Sequence, residues 1–170
     1  MNWLPRLPLA VLTLVLLCLN VALLVQNRAL KAKHQPVPAL LPRLGTKISK
    51  LDGVGPDGAR VSVIFPADSA KTVLLVFSPG CHTCDLNWPA WRGIVDSLDR
   101  RSCRVVYANI GPPLSSEYLT EHGISGATVF AKLDPRLIVS LNLSLTPMTV
   151  LLGRDGAVER AWAGLLGATS

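Results

Sequence analysis

A chain of 170 residues has room for one ordinary domain and an appendage. Its formal net charge of +6 invites a nucleic-acid reading, which the location of the charge excludes. From Gly45 to the C-terminus 12 basic residues face 11 acidic ones, and the remaining positive side chains, Arg6, Arg28, Lys31, Lys33 and Arg43, flank or follow an apolar segment, so the excess belongs to a membrane interface and linker and no nucleic-acid partner is expected.

That segment, Leu7 to Val25, is apolar apart from Thr13 and Asn20. At about 1.5 Å per residue it spans roughly 29 Å, enough for a bilayer core. A cleavable signal peptide has a shorter apolar region, about 7 to 15 residues, and a small-x-small cleavage site. Ala29 and Ala32 do not make that pattern, and Cys18 follows Leu17 where a lipoprotein signal needs a small residue. The segment reads as an uncleaved signal anchor, with a cleaved signal as the alternative. Arg6 and the amino terminus compete with Arg28, Lys31 and Lys33, so the positive-inside rule gives no clear orientation and mildly disfavours export of the C-terminal domain. His34 to Leu44 carries Pro36, Pro38 and Pro42, which predicts an extended, semi-rigid spacer. The expected organisation is an anchor with its flanks over 1–33, a linker over 34–44 and a domain over 45–170.

Within the domain, Lys47 to Phe65 reads as two short strands around the turn-rich Asp52 to Gly58, and Thr72 to Phe77 as a central strand. Ser78-Pro79-Gly80 ends that strand. A helix is predicted from just after Cys81 to about Arg100, with Leu86, Ile94, Val95 and Leu98 as its apolar positions and Pro89 kinking or breaking it. Arg104 to Ile110 is a second apolar strand, with Arg100, Arg101 and Arg104 read as the solvated end of the helix before it. Leu114 to His122 is a helix capped by Ser115 or Ser116 and stopped by Gly123. Thr128 to Ala131 reads as a short strand and Pro135 to Leu141 as a short helix or turn. Thr149 to Leu152 and Ala157 to Trp162 form a hairpin about Gly153-Arg154-Asp155-Gly156. Strands alternating with helices before a final hairpin imply an α/β domain, a mixed sheet flanked by helices.

The chemistry concentrates in Cys81-His82-Thr83-Cys84. A helix N-terminus presents unpaired N–H groups and a positive dipole end, both of which favour a thiolate at Cys81. Cys84 lies one turn later on the same face, placed to resolve a mixed disulfide formed by Cys81. The His82 imidazole is a candidate either to stabilise that thiolate or to pass protons, or is merely an exposed residue that tunes the pair. Structural zinc is the competing reading of such spacing, but it wants two further ligands. Cys18 sits in the apolar stretch, Cys103 is solitary, and His34 and His122 are far apart in sequence, so no metal is assigned.

The apolar strand, Ser78-Pro79-Gly80-Cys81-His82-Thr83-Cys84, Asp85-Leu86-Asn87-Trp88-Pro89 and the later Leu145-Thr146-Pro147-Met148-Thr149 together resemble the thioredoxin superfamily. Within it the chain looks like the membrane-anchored TlpA/ResA-like thiol-disulfide oxidoreductases, over roughly Gly45 to Gly164. The resemblance implies a thioredoxin-like sheet, a kink at Pro89, and a cis peptide at Thr146-Pro147 whose backbone pairs with bound substrate. It implies exchange with protein thiols and disulfides, no bound cofactor, and a reductase role in protein or cytochrome maturation; substrate and electron donor stay unnamed. On that chemistry the domain is placed on the exported side of a bacterial inner membrane. A copper carrier on the same fold and a silent docking scaffold are the alternatives.

Three departures stand out. Gly80 replaces the usual tryptophan before the first cysteine, which should open the surface there. Leu75 and Asn87 occupy the two positions where related proteins carry a carboxylate that accepts the second cysteine's proton, which makes His82 the candidate substitute and Asp85, read as a solvated first-turn residue, a weaker one. Leu165 to Ser170 is too short for the usual C-terminal helix, expected to be short or absent.

Overall fold

The computed structural model describes residues 6–33, 41–66, 70–124 and 128–167. The chain divides into two compact units, Met1–Pro36 and Val37–Ser170. The described residues of the first form a single helix, α1 (Arg6–Lys33). Its stretch Val11–Arg28 has a mean hydropathy of 1.8 and is long and apolar enough to cross a membrane. Asn20 gives its side-chain N–H to the Leu16 carbonyl at 3.0 Å, one turn back, so the amide is satisfied within the helix. Most of the expected proline-rich spacer, residues 34–40, lies outside the described residues.

The second unit contains β1 (Lys50–Val54), β2 (Arg60–Ile64), β3 (Lys71–Phe77), α2 (His82–Ser97), β4 (Cys103–Asn109), α3 (Ser116–Glu121), β5 (Thr128–Phe130), β6 (Lys132–Leu133), α4 (Pro135–Ser140), β7 (Met148–Leu152) and β8 (Val158–Ala163). Five strands form a mixed sheet in the order β5-β4-β3-β7-β8. β3, β4 and β5 are parallel, β7 runs antiparallel to β3, and β8 closes the hairpin. β3 takes the centre because Thr72 to Phe77 are all buried, the mark of a strand covered on both faces. Alternation sorts its side chains. Leu74 and Val76 join Val106, Val150 and Leu152 in one core, while Val73, Leu75 and Phe77 face Cys84, Trp88 and Trp91 of α2 in the other.

A single mixed sheet was the expectation, and the structure adds a second, antiparallel one in the order β2-β1-β6. β6, at two residues, is too short to leave a periodic signal. It lies against Gly53 and Val54 of β1, an approach that only glycine permits, because a Cβ on Gly53 would come within 2.4 Å of the Lys132 carbonyl oxygen.

α2 passes through Pro89 unbroken and ends at Ser97, short of the expected Arg100. Asp99 explains the early stop. Its carboxylate accepts from Arg101 N at 3.0 Å and Ser102 Oγ at 2.9 Å, and its carbonyl from Cys103 N, so the side chain offers the backbone a turn in place of another helical one. Arg104 therefore belongs to β4 rather than to a solvated helix end. Its Nε donates to Thr72 Oγ1 at 2.6 Å and its guanidinium lies over the Phe65 ring. The buried stripe of α2 is Cys84, Asn87, Trp88 and Trp91; Leu86, expected on it, is exposed, because the helical phase set by the two tryptophans turns it outward.

Gly53→Ala is expected to destabilise the full-length protein by about 1 to 3 kcal/mol, the usual cost of forcing an extra methyl into a packed contact. Urea unfolding in detergent, followed by tryptophan fluorescence, would register the fall in midpoint.

Candidate active site

β3 delivers the chain to the site and Ser78-Pro79-Gly80 turns it. Gly80 has φ +76°, a left-handed conformation that a tryptophan would adopt only with strain. Cys81 is then the N-cap of α2, and its sulfur accepts the Cys84 backbone N–H at 3.2 Å, the bond that a serine or aspartate oxygen makes at most helix starts. The loop before β7 closes the other side. Thr146 Oγ1 donates to Cys81 Sγ at 3.4 Å, and the Cys81 thiol, when protonated, donates to the Thr146 carbonyl at 3.7 Å. The Thr146-Pro147 peptide is cis, and Pro147 is buried.

The two thiols are driven apart by these surroundings. Burial pushes Cys81 up, but hydrogen bonds from Cys84 and Thr146 outweigh it, so its pKa lies below the ordinary thiol value. Cys84 is fully buried, and burial, with the hydrogen bond to Cys81 adding to it, pushes its pKa up to about 12. At neutral pH the outer, half-buried sulfur is the ionisable one and the inner sulfur keeps its proton.

The structure thus gathers Cys81, Cys84, Thr146 and Pro147 at one point. It does not bring His82 to them: His82 is exposed at the first position of α2, and among the described residues no hydrogen bond ties it to either sulfur. Leu75 is buried, and Asn87, also buried, spends its Oδ1 on the Leu166 backbone N–H at 2.8 Å. Asn87 Nδ2 is the one buried side-chain nitrogen or oxygen without a partner among the described residues. Among the same residues, no three His, Cys, Asp or Glu side chains converge as a metal site.

An aromatic cluster fixes α2 behind the thiols, and its Tyr118 and His122 are the members that sequence reading missed. Trp88 packs edge-on against Phe77 and Trp91, and the His122 imidazole lies flat on it at 4.6 Å and 11°. Tyr118 stacks on Phe77 and receives the Trp88 indole N–H at 3.4 Å, while Trp91 donates to Thr149 Oγ1 at 2.8 Å. Each aromatic pair adds about 0.5 to 1.5 kcal/mol beyond its buried area. In the sequence His122 reads only as the end of a short helix and a histidine too isolated for zinc; no signal there marks it as a ring partner of Trp88. Trp88 and Trp91 are packed, and of the three tryptophans in this unit only Trp162 is exposed.

No family model and no curated sequence matches the chain. Solved structures do. A protein assigned as the thiol:disulfide interchange protein DsbE from Chlorobium tepidum superposes with a TM-score of 0.57 at 19% identity, covering 75% of this chain and 89% of that one. A DsbF homologue from Corynebacterium diphtheriae gives 0.57 at 17%, covering 71% and 78%. A peroxiredoxin-like protein from Aquifex aeolicus gives 0.58 at 13%, covering 72% and 77%. The chain has a thioredoxin-like fold, with the cysteine pair at the start of α2 and a cis-proline loop opposite.

Because a hydroxyl donor favours the thiolate, Thr146→Val is expected to move the pH midpoint of Cys81 alkylation upward. The rate at neutral pH should fall about tenfold, the weight of one charge-assisted hydrogen bond. Mass spectrometry of the alkylated peptide would read both effects, with Cys84 unmodified throughout.

Proposed function

We propose that the chain is a membrane-tethered thiol-disulfide oxidoreductase of the TlpA/ResA-like kind, with its folded domain, beginning near Gly45, on the exported side of a bacterial inner membrane. One observation carries the reading: the Cys81 sulfur receives two donors, Cys84 N–H and Thr146 O–H, directly beside the cis Thr146-Pro147 step. A partner disulfide whose backbone runs along Pro147 meets a sulfur already biased towards thiolate. The membrane-spanning length and apolarity of Val11–Arg28 support the tether.

The exchange takes two displacements. In the first, Cys81 thiolate attacks one sulfur of the partner disulfide; a new S–S bond forms, the partner bond breaks, and the second partner sulfur leaves as a thiolate that takes up a proton. Cys84 then loses its proton and attacks Cys81 Sγ, closing the Cys81–Cys84 disulfide and releasing the partner as a dithiol. Two electrons pass from this protein to the partner, and a donor dithiol upstream returns them. Pro147 and Thr146 present the partner backbone, and His82, exposed at the first position of α2 next to Cys81 in sequence, tunes the field around Cys81. Net reduction suits a role in maturing exported proteins or cytochromes.

Cys84→Ser is expected to accumulate mixed disulfides through Cys81, seen as adducts on non-reducing gels that Cys81→Ser abolishes. Absence of adducts would favour a carrier or a docking scaffold and sink the reading. Direction is tested by equilibrating the full-length protein with glutathione buffers: a potential near thioredoxin's, about −270 mV, fits a reductase, and one near −120 mV fits a disulfide donor.

A further inference from the structure

We propose that a groove between α2 and α3, opening at Gly80, selects partners that carry a basic side chain, above all arginine, close to the reacting cysteine. The inference rests on the exchange reading and names the partner class for the same site.

The groove has a volume of about 490 Å³ and reaches from Gly80, the residue before Cys81, to His122. A Cβ on Gly80 would meet nothing within 4 Å, so the rim beside the nucleophile is open. A partner residue two positions from its cysteine lies about 7 Å along an extended chain, within reach of this opening while the sulfurs react.

Its walls are charged unevenly. Asp85 and Glu121 are exposed, and neither forms an ion pair among the described residues. The guanidinium of Arg92, which faces them, is directed at the Glu121 main-chain carbonyl at 3.3 Å. His122 adds no cation at neutral pH: burial against Trp88 lowers its pKa, Arg92 acts the same way, and the pull of Glu121 and Asp85 does not make up the difference. Two carboxylates thus stand against one guanidinium.

Apart from Gly80 and Pro89, the rest of the lining is aromatic: Trp88, Tyr118 and His122. The Tyr118 and His122 rings meet at 4.2 Å in an edge-on pair. A partner arginine can lay its planar head on such rings while its N–H fork reaches a free carboxylate, a combination that lysine satisfies less fully and an acidic residue not at all. Charge of this kind, at the rim of a contact, acts chiefly on encounter and on choice of partner.

The test uses the reduced full-length protein in detergent and three disulfide peptides identical but for arginine, alanine or glutamate two residues from the cysteine. Second-order exchange rates are expected to rank arginine, alanine, glutamate, with about tenfold between the ends at low salt. The gap should narrow towards about 0.5 M salt, where the Debye length is only a few Å. Glu121→Lys should reverse the arginine-to-glutamate ratio and Glu121→Gln should flatten it; taking ratios within each variant cancels any change in the overall rate. Equal rates for the three peptides, or a ratio indifferent to both substitutions, would overturn the groove's role while leaving the exchange chemistry standing. Failure to exchange with any peptide would remove both.

Discussion

The hydrogen bond from the Cys84 backbone N–H to the Cys81 sulfur organises this molecule. It ties the first turn of α2 to the end of β3, so the helix begins on the sulfur and the helix dipole acts where the negative charge forms. A sulfur is a weaker acceptor than the oxygen that normally occupies an N-cap, and that weakness is useful. The cap gains strength when the thiol ionises and loses it when Cys81 joins another sulfur, so the start of the helix is coupled to the redox state of its capping residue.

Everything that fixes the geometry of that bond lies deeper in the fold. β3 is buried on both faces and cannot shift without exposing Val73 to Phe77. α2 is pinned from beneath by Trp91 to Thr149 and from the side by Trp88 among Phe77, Tyr118 and His122. The cis-proline loop is held in turn by β7, and the Pro147 carbonyl accepts from Gly164 N at 2.9 Å. Two strands and one helix therefore set the position of one sulfur, and the charged groups around it act on an atom whose place is already decided.

The site was legible in sequence because its parts are local. A buried apolar run, a break, two thiols one turn apart and a distant Thr-Pro each carry their meaning in a few residues. What escaped was set by partners far along the chain. β6 is two residues whose pairing depends on a bare Gly53; the end of α2 depends on how Asp99 distributes its oxygens; Leu86 and Asn87 exchange places because Trp88 and Trp91 fix the helical phase. The aromatic cluster joins α2 to the residue after α3 across more than thirty positions, a distance at which no spacing rule operates. The sequence also offered His82 for the proton of Cys84, whereas the structure leaves His82 outside and puts an uncharged carboxamide, Asn87, in the buried place.

That carboxamide changes the proton bookkeeping of the second step. Asn87 can donate but cannot take a proton, and its Oδ1 is already occupied by Leu166 N. Leu75, at the other position where a carboxylate would serve, is buried and inert. Cys84, held up at about 12, then has no side-chain base beside it among the described residues. The one strongly basic species that the reaction itself brings close is the partner thiolate released when Cys81 attacks, with an ordinary thiol pKa of about 8.5. Transfer from Cys84 to that thiolate is uphill while burial and Cys81 hold the Cys84 pKa up, so resolution is slow unless the mixed disulfide lowers it. Forming the mixed disulfide removes the Cys81 thiolate, whose hydrogen bond and charge both raise Cys84. The first attack thus prepares the second nucleophile, a sequence in which the order of events is enforced by the charge on Cys81 and requires no dedicated carboxylate.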